Sequence, residues 1–385
     1  MKKIYNMKFL QTIAGFGAKS GGTSTCTYDL VTALNQLNCQ TDILTLEPND
    51  PTDCLMGGGE QWIKALPYDG KTPFGYSHNI VHYLNMTDYD LYHTNGLWMY
   101  CNHITASIAR RKGKPYVITP HGMLYPQALA RSAWKKKLMM HLCFDKDIRE
   151  ANCIHATCMQ EMKYYRDLGY KNPVAVIANP MPLPDYIDDI KPERSKKRIG
   201  FLGRLHPRKN VKGLIEAWAS LGKATQNAEL YIMGKGDESY EAYLRDLVTT
   251  LGLPNVVFAG FVSGHEKFEK LATLTALFVP SDFENFGMII TEALIVKTPV
   301  MASLGTPWEE LNTRHCGWWV NNDIHTLAQT MEEVFSLSDK ELLAMGERGK
   351  QLVIEKYSSV QVATQMKHLY EWILNGGEKP DFVYE

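Results

Sequence analysis

What this 385-residue sequence lacks narrows its identity first. No stretch of about 18 consecutive apolar residues occurs, so no membrane-spanning helix is expected. Lys8 falls where the apolar part of an export signal would lie, so no such signal is expected either. The formal net charge is -1, from 41 Lys+Arg against 42 Asp+Glu, and no global field draws in nucleic acid or a membrane. Only a local patch can do so. The eight cysteines (Cys26, Cys39, Cys54, Cys101, Cys143, Cys153, Cys158, Cys316) include no CxxC pair and no Cys/His cluster at metal-ligand spacing. They are too sparse to staple a fold, and a reduced, cytoplasmic protein is the expectation. No low-complexity tract or short-period repeat is present. The hydrophobic fraction of 45% excludes disorder, and the length favours two domains.

What is there is an alternation of short β-branched or aromatic runs with helical stripes, the pattern of parallel sheets covered on both faces. Strands are expected at residues 7–14, 41–46, 90–94, 115–119, 153–157 and 173–178, and again at 197–202, 229–233, 255–260, 276–279, 299–302 and 317–320. Leu30, Ala33, Leu34 and Leu37 mark a helix after Thr23, and Leu214, Ile215, Trp218 and Leu221 mark another after a cap at Asn210. Between the halves, Pro180, Pro182 and Pro184 remove backbone donors and fix φ, which suits a semi-rigid linker. The expected architecture is therefore α/β, with two doubly wound Rossmann-like domains. The first spans 1–185, completed by a C-terminal helical segment at 360–385 with no strand after it. The second spans 196–358.

Three strand-end turns carry candidate chemistry. Gly15-Phe16-Gly17-Ala18-Lys19-Ser20-Gly21-Gly22 precedes the first helix, where glycines and free helix amides suit a phosphate or serve only the turn. In the matching place of the second half, Gly203-Arg204-Leu205-His206-Pro207-Arg208-Lys209 crowds three cations before a helix N-terminus. The helix dipole disfavours them there unless an anion binds. The third turn holds Glu284 and, eight residues on, Glu292, the latter on a helix opening near Phe286 or Gly287. Glu284 belongs to the strand-end loop, and eight residues advance a helix by a little over two turns, so Glu292 is expected to face roughly the side of the helix start. Amides at that helix start suit a diphosphate, and carboxylates accept from sugar hydroxyls.

Pro280-Ser281-x-x-Glu284-x-Phe286-Gly287 with Glu292, preceded by Gly203-Arg204 with Lys209 and by Gly234-Lys235-Gly236-Asp237, resembles the retaining glycosyltransferases of family 4, which have the GT-B fold. Thr119-Pro120-His121-Gly122-Met123-Leu124 and Gly305-Thr306-Pro307-Trp308-Glu309 extend the resemblance over most of the chain. It implies that the two domains face each other across a cleft, with Arg204 and Lys209 on the donor diphosphate and Glu292 on the nucleotide ribose. Glu284 and the amides of Phe286, Gly287 and Met288 would hold the donor sugar or its phosphate, Gly234 would line the donor site, Gly21 and Gly22 would close over the diphosphate, and His121 would reach the sugar. Asn210 and Thr306 stand where the family often has glycine.

The implied reaction is hexosyl transfer from a nucleotide-diphosphate sugar to a glycan. That glycan would belong to a bacterial O-antigen, capsule or exopolysaccharide and be carried on a polyprenyl diphosphate. Fixed cations and helix amides would stabilise the leaving group, so no cofactor and no metal is expected. Asn95 and Trp98 stand at a strand end where an acceptor sugar would stack. The run Arg131-Ser132-Ala133-Trp134-Lys135-Lys136-Lys137-Leu138 up to Leu142 is basic and amphipathic. It reads either as a surface helix packing its apolar side on a core or as a contact with an anionic membrane through Arg131, Lys135, Lys136 and Lys137. A sugar-nucleotide epimerase and a non-enzymatic sugar-binding protein are the alternatives. A dehydrogenase is disfavoured because neither glycine turn has the GxGxxG register.

Overall fold

The computed structural model describes residues 7–50, 52–69, 74–193 and 195–385. Residues 1–6, which entered the export-signal reading, and Arg194, in the expected linker, lie outside that set. The chain divides into two units: Met1–Pro182 together with Ser359–Glu385, and Leu183–Ser358.

In the first unit, β-branched and aromatic runs form β1 (Lys8–Ile13), β2 (Gln40–Leu46), β3 (Ile63–Leu66), β4 (Leu91–Asn95), β5 (Tyr116–Thr119), β6 (Cys153–Ala156) and β7 (Val174–Val176). The second unit holds β8 (Lys197–Leu202), β9 (Ala228–Met233), β10 (Val256–Gly260), β11 (Ala276–Val279), β12 (Val300–Ser303) and β13 (Gly317–Val320). A last strand, β14 (Val383–Tyr384), returns to the first unit and pairs antiparallel with β7. This corrects the expectation that nothing extended follows the C-terminal helix, and β3 was not anticipated either. The first sheet has the order β14-β7-β6-β5-β4-β1-β2-β3 and the second β10-β9-β8-β11-β12-β13.

The period of two explains how the first sheet is sandwiched. Phe9, Leu91, Val117 and Cys153 face a cluster closed by Leu30, Leu34, Val362, Met366 and Tyr370, from the Gly22–Gln36 and Ser359–Asn375 helices. Their neighbours Leu10, Tyr92, Ile118 and Ile154 face the opposite cluster, with Ile108, Phe144 and Tyr165. In the second unit Ile199, Phe201, Leu230 and Phe278 pack on Leu214, Ile215 and Trp218 of the Val211–Ser220 helix. Asn210 caps that helix, accepting from the Gly213 N–H.

In each sheet the strand order reverses at one place. From β8 the chain runs outward through β9 and β10, then returns to β11 beside β8 and leaves through β12 and β13. From β1 it runs through β2 and β3 and returns to β4. Loops at the carboxyl ends on either side of such a reversal diverge and leave a crevice, the usual place for a ligand in an open α/β sheet.

Candidate active site

At the β8/β11 reversal the two loops meet through side chains. Lys209, after β8, pairs with Glu284, after β11, and Ser281 Oγ donates to the same carboxylate oxygen at 2.8 Å. Glu284 is 12% exposed, so this is a largely desolvated pair. Arg208 stacks on Phe283, with 4.7 Å from its guanidinium carbon to the ring centre. Lys209 is thus compensated by a carboxylate, whereas Arg208 keeps its charge on an aromatic face, so one of the three crowded cations does not await an anion. Arg204 is different. It is exposed and has no side-chain partner among the described residues.

Glu284 lies in the loop after β11 and Glu292 on the helix that follows it. The helix runs Met288–Ile295, with Gly287 at its N-cap in the left-handed region (φ 86°), so Glu292 is one turn in rather than two. Glu292 is half-buried and pairs with Lys267 of the Gly264–Ala272 helix at 2.7 Å, a partner 25 residues away that no local spacing revealed. Burial raises the Glu292 pKa above the ordinary carboxylate range, and Lys267 opposes the shift. Phe286 anchors the loop before this helix: its ring packs on Trp308 and Tyr357, and the Trp308 Nε1–H donates to its carbonyl at 2.5 Å.

Glycines set how closely these loops approach. Gly234 has φ 137°, and a Cβ there would stand 1.8 Å from the Gly203 carbonyl oxygen. A Cβ on Gly236 would stand 1.9 Å from the Leu205 oxygen. The loops after β8 and β9 are laced together by Leu205 N–H to Lys235 O at 2.9 Å, which only glycine at these places permits.

In the first unit, Gly21 and Gly22 are exposed at the open start of the Gly22–Gln36 helix, and a Cβ on either would meet nothing within 4 Å. His121 follows β5 with φ 51°, and its Nε2 lies 3.1 Å from Asn95 Oδ1. Buried Glu161 holds the same turn, accepting from the Gly122 N–H and from the Thr157 N–H (2.7 Å) and hydroxyl (2.9 Å). Burial and nearby His155 push the His121 pKa down to about 3, so the imidazole is neutral. Asn95 is buried, with its amide also donating to Gln11 Oε1 at 2.6 Å. Trp98 packs edge-on against Phe144 at 5.5 Å and lies under Lys136.

The basic run divides by face. Lys136 turns inward to the Ala128 carbonyl and the Trp98 ring, while Met139, Met140 and Cys143 pack on the core. Trp134 (69%), Leu138 (49%) and Leu142 (67%) are exposed beside exposed Arg131, Lys135 and Lys137. The apolar stripe that an ordinary surface helix would bury therefore faces outward. Among the described residues no helix is long and apolar enough to cross a membrane.

Comparison with known proteins identifies the family and the fold. The family model for glycosyl transferases group 1 matches residues 185–352, and that for a glycosyl transferase 4-like domain matches residues 21–180. An uncharacterised glycosyltransferase of Methanocaldococcus jannaschii is 34% identical over 184 residues, 46% of this chain and 45% of that protein. The poly(ribitol-phosphate) alpha-N-acetylglucosaminyltransferase of Staphylococcus aureus is 24% identical over 46% of this chain and 36% of its own length. The chain thus covers about half or less of these relatives. The Anabaena protein HepE, solved with UDP-glucose, superposes with a TM-score of 0.73 at 17% identity, over 94% of this chain and 99% of that one.

Proposed function

Because the chain belongs to the glycosyltransferases that these two family models describe, we propose that it moves a hexose or related sugar, with retained anomeric configuration, from a nucleoside diphosphate to a glycan hydroxyl. The observation that carries this reading is the β8/β11 reversal. There Arg204, without a side-chain partner among the described residues, and the paired Lys209 stand on a loop beside the open end of the Met288–Ile295 helix. Cleaving the bond from the anomeric carbon to the diphosphate puts negative charge on the leaving oxygen. Arg204, Lys209 and the helix amides are the groups of the right sign to receive it. The acceptor oxygen then bonds to the same face of the sugar while its proton passes to the departing phosphate, so no protein nucleophile is required.

The acceptor belongs to a bacterial surface polysaccharide, in keeping with the Pro120-His121-Gly122-Met123-Leu124 form of the family turn. Turnover is expected without added metal and in excess chelator. The deciding experiment is proton NMR of the reaction with an α-linked nucleotide sugar and a glycan acceptor. An α-linked product appearing only with acceptor present supports retaining transfer. A β-linked product, or isomerisation of the donor with no acceptor, overturns it.

The raised pKa of Glu292 gives this reading a pH signature. As a ribose acceptor Glu292 acts best ionised, so nucleotide affinity should weaken as pH falls from neutral into the acid range, beginning at a higher pH than an exposed glutamate would require. Lys267→Met removes the opposing cation and should move the transition to higher pH, whereas Glu292→Gln should flatten it; titration calorimetry across that range measures both. The linked stability runs the other way. A carboxyl whose folded pKa is raised stabilises fully below its unfolded pKa, and that contribution is lost as pH rises through the folded one.

The lipid-carried acceptor brings the first unit to an anionic bilayer, and the outward stripe of Trp134, Leu138 and Leu142 flanked by Arg131, Lys135 and Lys137 supports this. At about 1 kcal/mol per cation, three cations correspond to a partition ratio of about 100 between anionic and neutral vesicles. Sedimentation with phosphatidylglycerol vesicles should show that ratio, and Lys135→Glu with Lys137→Glu should abolish it. Equal, negligible binding to both vesicle types removes the membrane contact.

A further inference from the structure

Beneath His121 lies a buried polar chain that the proposed chemistry does not use. It runs through Asn95, Gln11, Tyr370, His93, Thr119 and His155, all buried, and ends on the Ile177 carbonyl. These residues come from β1, β4, β5, β6 and the Ser359–Asn375 helix, so distant parts of the first unit converge on one side chain.

The chain has one consistent direction. The Ile177 carbonyl can only accept, so His155 donates to it through Nε2–H at 2.8 Å. Burial holds His155 neutral, with its pKa pushed down to about 4. Its Nδ1 must therefore accept, and the Thr119 hydroxyl, 2.8 Å away, must donate to it. That hydroxyl has one proton, so His93 donates to Thr119 through Nε2–H at 2.6 Å. Buried His93, its pKa also lowered, then accepts at Nδ1 from the Tyr370 hydroxyl at 2.7 Å. Tyr370 has spent its proton and accepts from Gln11 Nε2 at 3.0 Å. That fixes the Gln11 amide, whose Oε1 accepts from Asn95 Nδ2 at 2.6 Å. Asn95 Oδ1 is left facing His121 Nε2 at 3.1 Å, and that nitrogen must carry the proton. Among the described residues Nδ1 of His121 has no hydrogen-bond partner.

We propose that Asn95, Gln11, Tyr370 and His93 are positioning residues that hold His121 as its Nε2–H tautomer, so that Nδ1 is presented as an acceptor to a hydroxyl of the donor sugar. The sugar contact rests on the proposed glycosyl transfer, whereas the tautomer does not. An unsupported imidazole populates both tautomers, and only the one with a bare Nδ1 accepts at that nitrogen. The network substitutes for the half of the turn's geometry that the left-handed His121 backbone alone does not determine.

Long-range proton–nitrogen NMR on the full chain with ¹⁵N-labelled histidine, assigned with His121→Gln, tests this directly. In the parent, His121 should show a protonated, pyrrole-like Nε2 and a pyridine-like Nδ1. Gln11→Met, which touches no substrate and keeps the volume, frees the Asn95 amide and should average the two His121 nitrogens. Its KM for the donor sugar nucleotide should rise about two- to tenfold, in proportion to the lost competent fraction. Tyr370→Phe supplies a second variant: His93 should stay Nε2–H, because Thr119 still accepts from it, while the Gln11 and Asn95 amides lose their anchor and the two His121 nitrogens should again average. An Nδ1–H or averaged His121 in the parent, or an unchanged His121 pattern in Gln11→Met, overturns the proposal. The nitrogen shifts need no substrate, so a failure of glycosyl transfer is told apart from a failure of the network.

Discussion

Arg204→Ala is expected to lower kcat by about 10²–10³ while the unfolding free energy stays within about 0.5 kcal/mol of the parent. The two halves of that statement have separate origins. Arg204 is exposed and has no side-chain partner among the described residues, so removing it leaves nothing buried or unpaired. It nevertheless follows β8 at the strand-order reversal, where charge on a leaving diphosphate would develop. Lys209→Ala should behave differently: Glu284, 12% exposed, would lose its cation. That variant should lose activity and also about 1–3 kcal/mol of stability, because a largely desolvated carboxylate keeps only the Ser281 hydroxyl and no countercharge. Steady-state kinetics beside thermal unfolding separates the two signatures, and an Arg204→Ala enzyme turning over at the parent rate would sink the leaving-group role.

Gly234→Ala should have the largest effect on folding. A Cβ would stand 1.8 Å from the Gly203 carbonyl oxygen, a backbone atom that cannot rotate away, and φ of 137° strains any side chain there. The loops after β8 and β9 must part, at a cost of about 3 kcal/mol, which in a unit of this size lowers its Tm by about 6–12 °C. Calorimetry should place the loss in the transition of the Leu183–Ser358 unit. Gly21→Ala is the control: its φ of 88° costs something, but its Cβ meets nothing within 4 Å. Equal melting of Gly234→Ala and the parent would show that the loops do not need this approach.

The sequence disclosed those features whose cause is local. The Ala276–Val279 strand is legible at its observed bounds because both its faces are packed, and a continuous apolar run says so. The Ile63–Leu66 strand was missed because its residues are all half-buried and include a lysine, and Val383–Tyr384 is too short to display a period. At the site, Glu284 as a loop residue and Glu292 as a helix residue are legible in the sequence, whereas how far Glu292 lies along the helix is not. The residues between them form a loop closed by the left-handed Gly287, and helix geometry applies only from Met288 onward. Lys267 beside Glu292, and Tyr370 behind His93, are brought in by tertiary packing across 25 and 277 residues, separations that no local pattern encodes.

The unit containing Gly21 and His121 is interrupted by the whole of Leu183–Ser358 and is completed only by Ser359–Glu385, which supplies Tyr370 and the β14 edge. Synthesis on the ribosome therefore begins that unit first and finishes it last. The inserted unit emerges with all its strands and can fold as a block. The earlier one waits with its Phe9, Leu91 and Val117 face covered only in part, by the Gly22–Gln36 helix, until the Ser359–Asn375 helix arrives. A stalled or prematurely terminated chain would thus display a finished second unit tethered to a sticky, unfinished first one, the kind of nascent species that chaperones attend.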